Sequence, residues 1–93
     1  MAELTKAPLR VSVVSADQEL WSGEAKQVVA KTLIGELGIL RGHEPVLAIL
    51  APGEVRITLE DGSVVKVKAE DGFFSFENDN VTVVSRDAEL VQG

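Results

Sequence analysis

The chain has 93 residues, 15 acidic against 9 basic side chains and a formal net charge of −6, which allows one small domain with a single hydrophobic core. The negative charge opposes binding to nucleic-acid phosphates and anionic lipid surfaces, so we expect no nucleic acid and favour a partner with exposed basic residues. The absence of cysteine excludes disulfides and thiolate metal sites, while the lack of a membrane-spanning apolar run and of a secretory signal predicts no direct membrane insertion.

Apolar residues alternate with polar ones along most of the chain, which is typical of strands with one buried and one solvated face. The alternation is clearest at residues 9–13, 55–59 and 65–67. Residues 46–50 instead form a continuous apolar run bounded by prolines, which predicts a strand covered on both faces where two sheets meet.

Short turn motifs separate these runs and are rich in Gly, Asn and Asp, which tolerate positive φ. Asp61-Gly62 is the strongest hairpin motif, and the others are Pro52-Gly53, Asp71-Gly72 and Asn78-Asp79-Asn80. About eight to ten short strands at this spacing, with no convincing helix, predict an all-β fold, an antiparallel β-sandwich or flattened barrel. We place this domain at residues 9–86, after a flexible N-terminal extension at 1–8 and before a C-terminal tail at 87–93.

Three glycines, Gly35, Gly38 and Gly42, precede the only histidine, His43. Their spacing matches neither the dinucleotide-binding motif nor the Walker loop, so we expect no nucleotide or other cofactor. His43 lacks the partners of a nucleophilic triad or a metal site, and we therefore predict no catalytic and no metal-binding residues. The glycines are compatible with a compact loop that needs positive φ and with an exposed loop on which a partner docks.

The segment from Gly35 to Leu47 reads Gly-Glu-Leu-Gly-Ile-Leu-Arg-Gly-His-Glu-Pro-Val-Leu and resembles the hallmark of one family, the epsilon subunit of the bacterial F-type ATP synthase. The likeness extends from about Leu9 to Glu89 through five further motifs, Ser15-Ala16-Asp17, Trp21-Ser22-Gly23, Pro52 to Ile57, Asp71-Gly72-Phe73 and Val81 to Val84. The resemblance implies a non-catalytic rotor subunit that binds the gamma shaft and the c ring and so couples proton-driven rotation to ATP synthesis. It also implies a peripheral position at the cytoplasmic face of the bacterial membrane.

The family usually follows this domain with two helices that inhibit ATP hydrolysis. Residues 87–93 are too short for such an arm, so we expect no inhibition by that route. Short forms without the arm exist within the family, and this chain is expected to be one of them.

The resemblance also assigns the partner-binding residues. It places Leu33, Ile34, Gly35 and Glu36 at the tip that meets the c ring, and it places Arg41 and His43 at the surface that meets gamma. Glu36 is equally compatible with a solvated carboxylate, and His43 with a histidine that braces its own loop.

Two positions depart from the family pattern. Arg41 stands where the family usually has proline, and it either adds an ion pair at the gamma surface or is solvated. Asp71 stands where the family usually has glycine, and aspartate tolerates the left-handed conformation that glycine favours. The rival hypothesis is a free-standing β-sandwich adaptor or ligand-binding module, although the sequence offers no set of polar groups for a small-molecule ligand.

Overall fold

The computed structural model describes residues 8–16 and 18–91, in which the secondary structure consists of strands and turns. Eight strands follow one another: β1 (Leu9–Ser15), β2 (Gln18–Ala25), β3 (Gln27–Thr32), β4 (Gly35–Ile39), β5 (Val46–Ile49), β6 (Gly53–Thr58), β7 (Val64–Glu77) and β8 (Asn80–Val91). Their hydrogen bonds connect them in the order β2-β1-β8-β7-β6-β3-β4, and β5 joins by pairing with β7. The prediction of an all-β fold is confirmed.

The long hairpin of β7 and β8 holds the two halves of the domain together. These strands pair from Lys66 and Val91 at one end to Glu77 and Asn80 at the other. On the other edge of β7, β6 pairs with the first half and β5 with the second half. Strand β1 runs parallel to the first half of β8 and pairs antiparallel with β2. One half of the domain therefore contains β3, β4 and β6, and the other contains β1, β2 and β5.

The hairpin bends inside β7, at Asp71 and Gly72. Asp71 has a φ of 64°, and its side chain forms a 3.2 Å ion pair with Arg86. A Cβ on Gly72 would overlap the carbonyl oxygen of Val84 and lie 2.6 Å from the Cα of Ser85, so only glycine allows this close approach of the backbones. The expected left-handed conformation of Asp71 is confirmed. The predicted turn between two short strands is wrong, because β7 continues through the bend.

The two halves enclose a single hydrophobic core. Buried apolar side chains from β1, β2, β3, β4, β6, β7 and β8 form one cluster, and the largest fully buried ones are Phe74 and Phe76. Burial of a side chain of this size contributes about 1.5–3 kcal/mol. Since both halves face the same core, the prediction of a β-sandwich is confirmed.

Two of the predicted turn motifs form tight hairpin turns. At Asp61-Gly62, the amide of Leu59 donates to the carbonyl oxygen of Ser63 at 2.8 Å, and Gly62 has a φ of 93°. The hydroxyl and amide of Ser63 both donate to the Asp61 carboxylate, which lowers the pKa of Asp61. Asn78 and Asp79, with φ of 52° and 60°, form the two-residue turn between β7 and β8.

The prediction that residues 46–50 are covered on both faces is wrong. Strand β5 pairs with β7 through Val46 to Ile49, but Leu47 is 75% exposed and Ile49 is 56% exposed. The alternate residues of the strand, Val46 and Ala48, are half-buried. The strand keeps the usual alternation of faces, and its outward face is apolar rather than covered.

Strand β8 runs past residue 86, the predicted end of the domain. Strand β8 continues to Val91, and its last residues pair with the first half of β7. Residues 87–91 give the first half of β7 a partner on the edge opposite β6. The predicted extension at 1–8, apart from Pro8, and the last two residues of the predicted tail lie outside the described residues.

Candidate partner-binding surface

The turn between β3 and β4 presents two apolar side chains to solvent. Thr32 and Gly35 pair across the turn, and the Thr32 hydroxyl donates to the carbonyl oxygen of Gly35 at 2.6 Å. The same hydroxyl accepts the amide of Ile34 at 3.3 Å, and Thr32 is buried. Leu33 is 68% exposed and Ile34 is 92% exposed, so a well-anchored turn holds an apolar pair in water.

Glu36 lies at the foot of this turn and has a cation partner within the chain. Its Oε2 is 3.6 Å from Nη2 of Arg56, and both side chains are largely exposed. Lys31 pairs with Glu36 across the two strands. An exposed ion pair of this kind contributes about 0–1 kcal/mol, so Glu36 is free to exchange Arg56 for a cation on another molecule at little cost.

The loop that carries Arg41 and His43 is built on a β-turn. The amide of His43 donates to the carbonyl oxygen of Leu40 at 3.2 Å, and Gly42 has a φ of 84°. Arg41 and Gly42 are thus the two central residues of the turn, and the second of them needs positive φ. The amide of Gly42 also donates to Oδ1 of Asp79 at 2.8 Å, which ties the loop to the β7–β8 turn.

His43 is braced by its own loop and still exposed. Its Nδ1 lies 2.8 Å from the carbonyl oxygen of Glu44. Its ring meets the ring of buried Phe76 edge-on, with 5.9 Å between the ring centroids and an angle of 87° between the planes. These contacts fix the position of the side chain without removing it from solvent.

The structure adds an apolar surface that the sequence analysis missed. Ile49 pairs with Phe73, Phe73 with Val84 and Val84 with Val14, so these four side chains form one row across the outward face of β5, β7, β8 and β1. Phe73 is 40% exposed, and Val14 and Val84 are half-buried. Leu47 projects from the same face beside the row. We call Leu47 and this row the β5 face. The apolar run at 46–50 is the sequence signal of this surface, because a continuous apolar run is compatible with an exposed apolar face as well as with burial on both faces.

Strand β5 connects the two predicted sites. At one end the amide of Leu33 donates to the carbonyl oxygen of Ile49 at 3.0 Å, and at the other end Val46 pairs with Phe76, which contacts His43. Four strand residues span about 13 Å. The Leu33–Ile34 turn therefore lies at one end of β5 and the Arg41–His43 loop at the other, and the β5 face is the outward side of the strand between them. An open groove of about 750 Å³ lies between Leu33, Ile49 and Phe73.

Comparisons with known proteins identify the family. The sequence model described as "ATP synthase, Delta/Epsilon chain, beta-sandwich domain" matches residues 8–91. The chain is 45% identical over 84 residues to the ATP synthase epsilon chain of Micrococcus luteus, which covers 90% of this chain and 92% of that one. The chain belongs to the ATP synthase epsilon family. It is also 41% identical to the epsilon chain of Frankia casuarinae, covering 89% of this chain and 98% of that one. The epsilon chain of Streptomyces coelicolor is 43% identical, with 90% of this chain and 68% of that one covered.

Two solved structures share the epsilon fold. A chain in the Euglena gracilis mitochondrial ATP synthase, solved as OSCP/F1/c-ring, matches with a TM-score of 0.84 at 24% identity over 90% of this chain and 54% of that chain. A chain in the Tetrahymena thermophila mitochondrial ATP synthase, solved as central stalk/c-ring, matches with a TM-score of 0.70 at 17% identity over 91% of this chain and 68% of that chain. At these identities the likeness shows the fold.

Family membership confirms the prediction of a non-catalytic subunit of ATP synthase. The assignments of Leu33, Ile34, Gly35 and Glu36 to one partner, and of Arg41 and His43 to another, stay predictions. Within residues 8–16 and 18–91, no helix is long and apolar enough to cross a membrane.

Proposed function

We propose that this epsilon chain is a rotor subunit of the central stalk of a proton-translocating F-type ATP synthase. It binds the gamma shaft with the β5 face and the Arg41–His43 loop, and it binds the c ring with the Leu33–Ile34 turn and Glu36. It lies at the cytoplasmic face of a bacterial membrane as a peripheral part of the complex. Proton flow turns the ring, and the domain helps to fix gamma to the ring so that torque reaches the catalytic sites.

The observation that carries the proposal is the exposure of apolar side chains along one side of a closed sandwich. Contiguous exposed apolar surface of this kind marks interaction sites on soluble domains. Leu47, Ile49 and Phe73 are together on the β5 face, and an aromatic or aliphatic group that becomes fully buried at the centre of an interface contributes most of the binding energy. The face is thus suited to a large, permanent protein partner.

The β3–β4 turn is suited to a smaller contact at one end of the domain. Leu33 and Ile34 project from the tip, and Glu36 lies beside them with an exposed and easily exchanged ion pair. A polar loop with a basic side chain would complement an apolar tip flanked by a carboxylate. Polar loops of the c ring would meet this description.

The long β7–β8 hairpin supports a mechanical role. Strands of 14 and 12 residues run through both halves of the sandwich and connect the half that carries β5 to the half that carries the β3–β4 turn. A force applied at the turn is therefore transmitted through continuous hydrogen-bonded strands. Residues 87–91 pair with β7 as part of a strand, so they do not form the start of a helical arm that inhibits ATP hydrolysis.

The experiment is binding of the full chain to the gamma subunit of its own organism by calorimetry. We expect a saturable one-to-one complex. Leu47→Lys should weaken it at least about tenfold, because a lysine cannot enter a dry apolar interface without losing hydration. The matched control is Val64→Lys, since Val64 is also an exposed apolar residue, 47% exposed, but lies on the other half of β7.

The outcomes are distinct. Loss of binding for Leu47→Lys with retention for Val64→Lys supports the assignment of the β5 face. If the folded wild-type chain shows no binding at tens of micromolar gamma, the rotor hypothesis fails and the free-standing adaptor or ligand-binding module becomes the better hypothesis.

A further inference from the structure

We propose that Asp79, on the β7–β8 turn, is a positioning residue for partner binding. It acts through Gly42 and holds the loop that carries Arg41 and His43 in the shape that the partner recognises. The inference rests on the proposed function, because its partner is the gamma subunit.

The tether is a single hydrogen bond between distant parts of the chain. Oδ1 of Asp79 accepts the amide of Gly42 at 2.8 Å, across 37 residues of sequence. The acceptor is a carboxylate, and hydrogen bonds to charged acceptors are stronger than those between neutral groups. It therefore connects the loop to the sheet at the residue next to both Arg41 and His43.

Asp79 itself is held firmly, so it provides a fixed point. It lies in a left-handed conformation next to Asn78, which does the same, and this pair closes the two-residue hairpin turn. Its carbonyl oxygen accepts the amide of Arg10 at 2.9 Å, which connects the turn to the start of β1. Asp79 is thus fixed by β1, β7 and β8, and its side chain connects the loop to these three strands.

The contacts of His43 hold one side of the loop, and the turn at Arg41 and Gly42 is the part that the tether restrains. This turn is closed by the bond of 3.2 Å between His43 and Leu40, and its central residues, Arg41 and Gly42, are exposed. Glycine at the second central position loses more conformational freedom on ordering than any other residue. The first central position favours proline, which would preset φ, and Arg41 does not supply that restriction.

Loss of the tether should affect binding more than stability. The bond between Gly42 and Asp79 is exposed, so water replaces the carboxylate when Asp79 is removed, and the core does not change. The loop then samples other conformations. Because gamma binds only one of them, the apparent affinity falls in proportion to the fraction of molecules in that conformation.

The test measures gamma binding by calorimetry for the full chain and three variants. Asp79→Gly keeps the left-handed turn and removes the acceptor, and we expect about tenfold weaker binding. Asp79→Asn keeps an oxygen acceptor and tolerates the same backbone, so it should bind within about threefold of wild type. Asn78→Gly is the matched control. It places glycine at the neighbouring left-handed position of the same turn and leaves the bond to Gly42 in place, so gamma binding should not change.

Two further readouts separate positioning from a direct contact of Asp79 with gamma. Hydrogen exchange of the Gly42 amide, followed by NMR without any partner, should accelerate in Asp79→Gly and stay unchanged in Asn78→Gly. Arg41→Pro presets the turn, so adding Asp79→Gly to Arg41→Pro should weaken binding by much less than adding it to wild type.

The failures are distinguishable. If wild type binds gamma and Asp79→Gly binds equally well, the inference is overturned while the proposed function stands. If Asp79→Asn loses as much affinity as Asp79→Gly and Arg41→Pro rescues nothing, Asp79 contacts gamma directly and the positioning role is overturned. If wild type does not bind gamma at all, both proposals fall.

Discussion

At the scale of single residues, backbone conformation determines which residue types fit at the bend of β7 and at the β7–β8 turn. Asp71, Asn78 and Asp79 have positive φ, and each lies where the long hairpin bends or reverses. Aspartate and asparagine tolerate this region better than other residues with a Cβ. Gly72 is different, because glycine is required there for space: its φ is not positive, but the backbone of β8 occupies the place of a Cβ.

Gly72→Ala should therefore be strongly destabilising. The added methyl group would meet the Val84 carbonyl and the Ser85 backbone, and backbone atoms cannot move aside as a flexible side chain can. We expect a loss of about 3 kcal/mol or more in the free energy of unfolding, measured by urea denaturation with Trp21 fluorescence as the probe.

Gly38→Ala is the matched control for this prediction. Gly38 also lies in a strand, but a Cβ there would meet its nearest neighbour, Val29, at 3.9 Å, an ordinary contact distance. The free energy of unfolding of Gly38→Ala should stay within about 1 kcal/mol of the wild-type value. Equal losses for both substitutions would show that strand propensity, rather than the close approach at the bend, controls the result.

At the scale of the strands, the sequence predicts the fold class well and the strand ends poorly. Alternation at residues 9–13, 55–59 and 65–67 correctly identified β1, β6 and the start of β7. The pair Asp71-Gly72 has the composition of a turn, and sequence composition does not distinguish a turn between two strands from a bend within one. The continuation of β8 beyond residue 86 depends on pairing with a distant part of β7, which no local pattern contains.

The exposure of surface residues is also difficult to predict from the sequence. A period of two marks which residues share a face, but it does not state whether a second layer covers that face. The apolar run therefore predicts that Leu47 and Ile49 are covered, although β5 leaves them exposed. The tether from Asp79 to Gly42 joins residues 37 positions apart, and only the folded chain brings them together.

Truncation after residue 86 tests the role of the end of β8. It removes the partners of Lys66 to Glu70 on β7 and the amide of Asp87, which donates to the Ser85 hydroxyl at 3.1 Å. Each lost ladder hydrogen bond should reduce the free energy of unfolding by about 1 kcal/mol, so the truncated chain should be several kcal/mol less stable or unfolded, as measured by thermal denaturation.

Truncation after residue 91 is the control for this experiment, because it leaves all of β8 in place. It should unfold at the temperature of the full chain. Equal stability of the two truncated chains would contradict the assignment of residues 87–91 to the sheet.

At the scale of the whole molecule, the turn proposed for the c ring and the loop proposed for gamma lie at the two ends of one strand. The Leu33–Ile34 turn and the Arg41–His43 loop lie at opposite ends of β5, about 13 Å apart. Sites at this separation that share no side chains contribute nearly independent free energies. Under the proposed function, a c ring bound at the turn therefore leaves the loop available to gamma.

This independence predicts opposite selectivity for two variants. Ile34→Glu places a charge at the most exposed apolar side chain of the turn, 92% exposed, and should weaken retention of the c ring at least about tenfold while gamma affinity stays within about twofold. Leu47→Lys should weaken gamma binding directly. The measurement is a pull-down of detergent-solubilised c ring by a complex of gamma with each epsilon variant, with gamma affinity measured separately by calorimetry.

Val64→Glu serves as the control, since it places the same charge on an exposed valine remote from both ends of β5, and it should alter neither binding step. If Ile34→Glu lowers gamma affinity as strongly as Leu47→Lys, the turn and the β5 face belong to one interface, and the separation of the two functions is wrong. If the two variants affect different partners, the strand of four residues between Pro45 and Leu50 sets the distance between shaft and ring contacts. The apolar character of its outward face, unexplained by the core, then follows from binding the shaft.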